Sequence, residues 1–177
     1  RIGAIYEGTN GIQALDLIGR KLRIHGGRLF KSLLKEFDSI TPETARGEVL
    51  RECVGIWRDY VGGLIIAVDD LGKAAKEKTP EETVMNAKVI MRLFGDVVGG
   101  FHLIRQGLTA ESKLGELEVS YSNVREKAKE NSEIRFYYNK LLTVEYFVLN
   151  VLPRQEGYIK ILQRGATSAL DMILNQD

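Results

Sequence analysis

The chain is poor in the residues that interrupt or covalently staple a fold. It has 3 prolines and 1 cysteine in 177 residues. One cysteine excludes an internal disulfide framework and fits a reducing compartment such as the cytoplasm. The longest apolar runs, such as "LIIAV" at 64–68, are far too short for a membrane span. A formal charge of +1 argues against a nucleic-acid binder that relies on neutralising phosphates. Two histidines, with no acid or cysteine at ligand spacing, leave no metal site. No two glycines stand two apart, so the dinucleotide fingerprint is missing, and the absence of Glu-x-x-His argues against a di-iron bundle. No signal peptide is visible. Because the chain starts at Arg1 rather than Met, we expect a piece of something larger.

What is present is helical vocabulary: Leu, Ala, Glu, Lys, Arg and Ile, arranged with helical period. The expected class is all-α, an antiparallel bundle of four to five main helices. "TPE" occurs at 41–43 and again at 79–81, and Thr, Pro and Glu suit N-cap, first-turn and dipole positions in that order. After the first start, Val49, Cys53, Ile56, Tyr60, Leu64, Val68, Leu71 and Ala75 continue a stripe for some nine turns. After the second come Val84, Met91, Phe94, Val98, Phe101 and Ile104, widened by Ile90, Leu93 and Val97. A third helix runs from about Ser132 to Leu152, where Pro153 should kink or end it. A final helix carries Ile159, Leu162, Ala166, Ala169 and Ile173, and residues 114–131 read as a loop or short exposed helix.

At the front, a helix is expected to start near Asn10 and to end at "HGG", 25–27, after the cations of "RKLR". That stop reads as a boundary, giving domains 1–25 and 26–177. Gly-Gly pairs at 62 and 99 interrupt strong helices at about 1 kcal/mol per glycine relative to alanine. Close approach of a second helix would offset that cost; a ligand against bare backbone is the sharper alternative. Cys53, Trp57, Tyr137 and Tyr138 lie on or beside buried stripes and read as core, and His25 and His102 as structural. Glu7 stands in "IYEGTNG", a run of turn formers ahead of the expected helix. Such an acid is usually a capping or surface group; a catalytic base is the sharper alternative, which the pattern alone does not establish.

"IYEGTNGIQALDLIGRKL" at 5–22 resembles the signature near the end of the acyl-CoA dehydrogenase core, where Tyr-Glu-Gly-Thr precedes the last helix. The run "NGIQALDLIGRKL" is similar to the branch that carries a further helical domain, to which dehydrogenases of 3-methylmercaptopropionyl-CoA type belong. "VVGGFHLIRQGL" and "FYYNKLLTVEYFVLNVLPR" resemble helices of that appended domain. The resemblance implies that Glu7 is the general base that removes the α-proton of an acyl-CoA, while the β-hydrogen leaves as hydride to FAD and a trans-2-enoyl-CoA forms. It implies that the Glu7 backbone N–H is one donor to the thioester oxygen, and that Tyr6 and Gly8 line the acyl end of the pocket. Thr9 would approach the FAD phosphates or adenosine. Gly11 stands where many members have Gln, so any contact there with FAD is through backbone. The implied partners are an acyl-CoA substrate, electron-transfer flavoprotein and a further copy in a homo-oligomer, and the isolated piece is expected to be inactive. A non-enzymatic helical module for oligomerisation or docking is the competing expectation.

Overall fold

A computed structural model describes residues 2–77 and 84–164, with residues 2–8 and 74–77 described by their backbone alone. Among the described residues the fold is all-α, without strands. The helices are α1 (Ile2–Asp16), α2 (Ile24–Asp38), α3 (Glu48–Glu77), α4 (Ala87–Glu116), α5 (Val124–Glu130), α6 (Ser132–Tyr146) and α7 (Gln155–Arg164). None is long and apolar enough to cross a membrane.

The first helix departs from the expected start. It begins at Ile2, not near Asn10, so Tyr6, Glu7, Gly8 and Thr9 are helical and not in a preceding turn. No proline interrupts "IGAIYEGTNG", and its three glycines, Gly3, Gly8 and Gly11, cost about 1 kcal/mol each but remove no backbone donor, so the helix runs through all three. Beyond Asp16 the backbone widens into one π-helical turn, Leu17–Lys21, closed by Leu22 N–H donating to the Leu17 carbonyl at 3.0 Å. The expected stop is in place: His25, Gly26 and Gly27 have φ of 53°, 67° and 77°, a left-handed run that regular helix cannot continue. The regular turns of α2 follow it.

Thr41 starts a helix as its "TPE" suggests, but only the short 3-10 turn Pro42–Thr44. The long helix opens separately at Glu48. The Thr41 hydroxyl is engaged with the Glu43 side chain, holding that carboxyl below its ordinary range. The second "TPE", at 79–81, lies outside the described residues, as do Ala166, Ala169 and Ile173. The polar stretch after Leu114 resolves into a loop and the short α5, which buries Val124 and Ala128. Asn131 caps α6, its Oδ1 accepting Glu133 N–H at 2.9 Å and Ile134 N–H at 3.1 Å. Ahead of Pro153 the ladder loosens into a π turn at Phe147–Val151, then tightens into a 3-10 turn at Leu152–Arg154.

The chain divides into two compact units. One holds Phe37–Val61 and Asp96–Arg154; the other holds α1, α2 up to Glu36, α3 from Gly62, α4 up to Gly95, and α7. In the latter, Ala14, Ile18 and Leu22 pack with Leu71, Ala87 and Ile90, beside Phe30 and Phe94, whose rings lie 6.2 Å apart. In the former, Phe37 packs on Trp57 and Phe101 at 5.3 and 4.9 Å between centroids. Trp57 is fully buried and its indole N–H donates to the Val97 carbonyl at 2.9 Å, which satisfies its one polar atom.

The Gly-Gly pairs are packing sites. A Cβ at Gly63 would stand 2.6 Å from Ile159 Cδ1, and one at Gly100 would stand 2.8 Å from Trp57 Cδ1. Both stripes bury a slightly different set than expected. On α3, Leu50, Val54, Trp57 and Val61 are buried while Val49 is 45% exposed. On α4, Ile90, Leu93 and Val97 form the centre of the buried face, not its margin.

Candidate functional site

The five candidate positions fall on α1. Glu7 and Gly11 are one turn apart, whereas Thr9, two residues from Glu7, is rotated about 200° around the axis. Thr9 is exposed, and Gly11 is half-buried. A Cβ added at Gly11 would lie 3.8 Å from Lys88 Cε, ordinary contact distance. One helix does not enclose a flavin, which needs further surfaces. Downstream, α1 is anchored by Ala14, Ile18 and Leu22 in the core, and Asp16 pairs with Arg20 at 2.6 Å and Lys21 at 3.2 Å. The bond to Arg20 is the main reason that the Asp16 carboxyl lies below its ordinary range.

The other residues weighed from sequence behave as structural groups. Cys53 is buried, and desolvation, with smaller repulsion from Glu145 and Glu52, pushes its thiol up to about 11. It is an inert core residue. His25 sits in the left-handed turn, and the His102 ring meets Phe101 edge-on at 5.2 Å. Tyr137 and Tyr138 are half-buried. Among the described residues no three His, Cys, Asp or Glu gather to hold a metal.

Sequence reasoning missed the best-connected buried carboxylate. Glu111, 6% exposed, accepts Arg46 N–H at 2.9 Å, Gly47 N–H at 2.7 Å and the Tyr121 hydroxyl. It thereby covers backbone donors at the start of α3, where a negative charge also meets the positive end of the helix dipole. Burial, reinforced by the bond to Glu111, pushes the Tyr121 phenol well above its ordinary range. The Tyr121 ring lies on Gly47, where a Cβ would collide with it. One signal was available: Ile104, Gly107, Glu111 and Leu114 recur at steps of three and four, so an acid occupies a buried stripe. Its three donors leave it positioned as a remote cap for α3.

Comparison with known proteins bears on both the candidate turn and the helices after it. A family model described as "Acetyl-CoA dehydrogenase C-terminal like" matches residues 33–173. A butyryl-CoA dehydrogenase of Syntrophomonas wolfei is 28% identical over 171 residues, covering 97% of this chain and 26% of that protein. A second butyryl-CoA dehydrogenase of the same organism is 24% identical over 174 residues, with the same coverages of 97% and 26%. A 3-methylmercaptopropionyl-CoA dehydrogenase of Ruegeria pomeroyi is 25% identical over 152 residues, covering 86% of this chain and 24% of that protein. The chain spans about a quarter of the length of these curated relatives.

Proposed function

The chain belongs to the acetyl-CoA dehydrogenase C-terminal-like family, and from that premise we propose that it is the C-terminal part of an FAD-dependent acyl-CoA dehydrogenase. The observation that carries the reading is the alignment with a butyryl-CoA dehydrogenase over 97% of this chain. Residues 1–25 are assigned to the end of the catalytic core, and residues 26–177 to an appended helical domain with a structural role. Butyryl-CoA and 3-methylmercaptopropionyl-CoA, the thioesters in the relatives' names, support an acyl-CoA as the substrate class.

In this reading Glu7 takes the α-proton of the thioester. That proton is weakly acidic, so the base must work in a dry pocket that raises its pKa toward the working pH. The Glu7 backbone N–H donates to the thioester oxygen and stabilises the charge that develops there. Such an N–H is free to do so only in the first turn of a helix or ahead of it, since deeper in α1 it is committed to a carbonyl four residues back. The reading therefore requires the first turns of α1 to open when the rest of the enzyme surrounds them. Gly8 lowers the cost of that opening. Tyr6 and Gly8 line the acyl end of the pocket. Thr9 would approach FAD, and the backbone at Gly11 could reach it only if that part of α1 opened as well; when bound, FAD would accept the β-hydrogen as hydride. Electrons then pass to electron-transfer flavoprotein, and the enzyme is a homo-oligomer of the cytoplasm. The 177-residue chain alone has neither flavin nor activity.

The test is to purify the product of the whole reading frame that encodes this chain and to titrate it anaerobically with acyl-CoA thioesters. A yellow protein whose flavin absorbance bleaches is expected. A product that stays colourless and inert with added FAD overturns the reading.

A further inference from the structure

Beyond the proposed reaction, a groove between α4 and α6 gathers chemistry that the reaction does not use. His102, Arg105 and Gln106 on α4 and Phe136, Tyr137 and Lys140 on α6 line about 590 Å3. That volume falls in the usual range for a small-molecule site. Both fixed charges in the lining are positive. Among the described residues, neither Arg105 nor Lys140 has a carboxylate partner. The Arg105 guanidinium lies 5.4 Å from the centroid of Phe101, and Lys140 Nζ lies 5.4 Å from that of Phe136. Lys140 also donates to Gln106 Oε1 at 2.9 Å, a neutral acceptor that an anion could replace.

Phe136 is 56% exposed on a helix that buries Ile134, Leu141 and Val144. A large ring standing in solvent beside Lys140, in the groove that Arg105 also lines, contributes little to the core. Aromatic platforms beside Arg or Lys suit ligands that combine a flat ring with phosphate.

We propose that this groove binds a nucleoside diphosphate, with its base stacked on Phe136 and its phosphates held by Arg105 and Lys140. A free nucleotide and the nucleotide end of a larger carrier such as coenzyme A share that group. The ring alone would need no cations, and phosphate alone would need no exposed phenylalanine; the pairing of the two selects the class.

The experiment is calorimetric titration of the 177-residue chain at low ionic strength with ADP, coenzyme A, adenosine and inorganic diphosphate. Saturable one-to-one binding of ADP is expected, weakened about tenfold by Arg105→Ala and by Lys140→Ala through loss of a charge-assisted bond. Phe136→Ala should weaken ADP about fivefold through loss of stacking and leave inorganic diphosphate unchanged. Coenzyme A binding tighter than ADP marks a carrier as the natural source, and equal binding marks a free nucleotide. ADP binding that is absent, or that none of the three variants moves, overturns the proposal. Arg105 and Phe136 are exposed, and Lys140→Gln serves beside the alanine variant, so altered folding is separated by far-ultraviolet circular dichroism. No flavin enters the measurement, so its failure is distinct from failure of the dehydrogenase reading.

Discussion

The Glu111 carboxylate accepts the Gly47 N–H at 2.7 Å and so caps α3 from 64 residues farther along the chain. With Arg46 N–H and the Tyr121 hydroxyl on the same carboxylate, one side chain serves three donors. Glu111→Ala strands them and should destabilise the protein by about 3 kcal/mol, with Glu111→Gln costing about 1 kcal/mol because one acceptor remains. Urea unfolding followed by circular dichroism measures both. A loss below about 0.5 kcal/mol for the alanine variant would show that the cap contributes little.

The two glycines at 62 and 100 should respond to alanine in opposite directions. Nothing lies within 4 Å of a Cβ at Gly62, so Gly62→Ala gains helix propensity and stabilises by about 0.5–1 kcal/mol. At Gly100 the new methyl meets the buried Trp57 ring at 2.8 Å, and overpacking of about 1–3 kcal/mol exceeds that gain. Thermal melts of the two variants provide the comparison.

Cys53 should show its burial in both reactivity and pH dependence. With the folded thiol pushed up to about 11, from an ordinary value of 9.0, its thiolate fraction near pH 8 is about 100-fold below that of an open cysteine. Alkylation by iodoacetamide in native buffer should be slower than in urea by at least that factor. A folded pKa above the unfolded one means that the folded state holds the proton more tightly. Its stabilising contribution is therefore complete below the unfolded pKa and is lost as pH rises toward 11. The stability advantage of the wild type over Cys53→Ala should narrow above pH 9, as read from urea midpoints across pH 7–10.5.

Much of the fold was legible in the sequence because its signals are local. The stripes of α3, α4 and α6, the left-handed stop at His25–Gly27 and the disruption ahead of Pro153 each follow from neighbours within a few turns. Gly63 and Gly100 were legible as close-packing sites because a glycine inside a strong helix needs a compensating contact. The Glu111 cap was hidden because its partners stand 64 and 65 residues away in sequence. Thr41 misled: its side chain caps no backbone N–H and precedes only a 3-10 turn, while Gly47 and Glu111 open the long helix separately. The start of α1 was missed because Gly8, Thr9 and Asn10 read as turn formers, whereas the helix runs through them and through Gly3 and Gly11. Of the candidate site, the residue types in "IYEGTNG" were legible, but not their place inside α1 rather than ahead of it.

The most direct test of the whole account is Glu7→Gln in the flavin-loaded product of the full reading frame, mixed anaerobically with an acyl-CoA that bleaches the wild type. Flavin content should be unchanged, since the amide is nearly isosteric with the acid, while the bleaching rate falls by about 10²–10⁴-fold with loss of the general base. Bleaching at the wild-type rate would contradict the account and remove Glu7 from the chemistry.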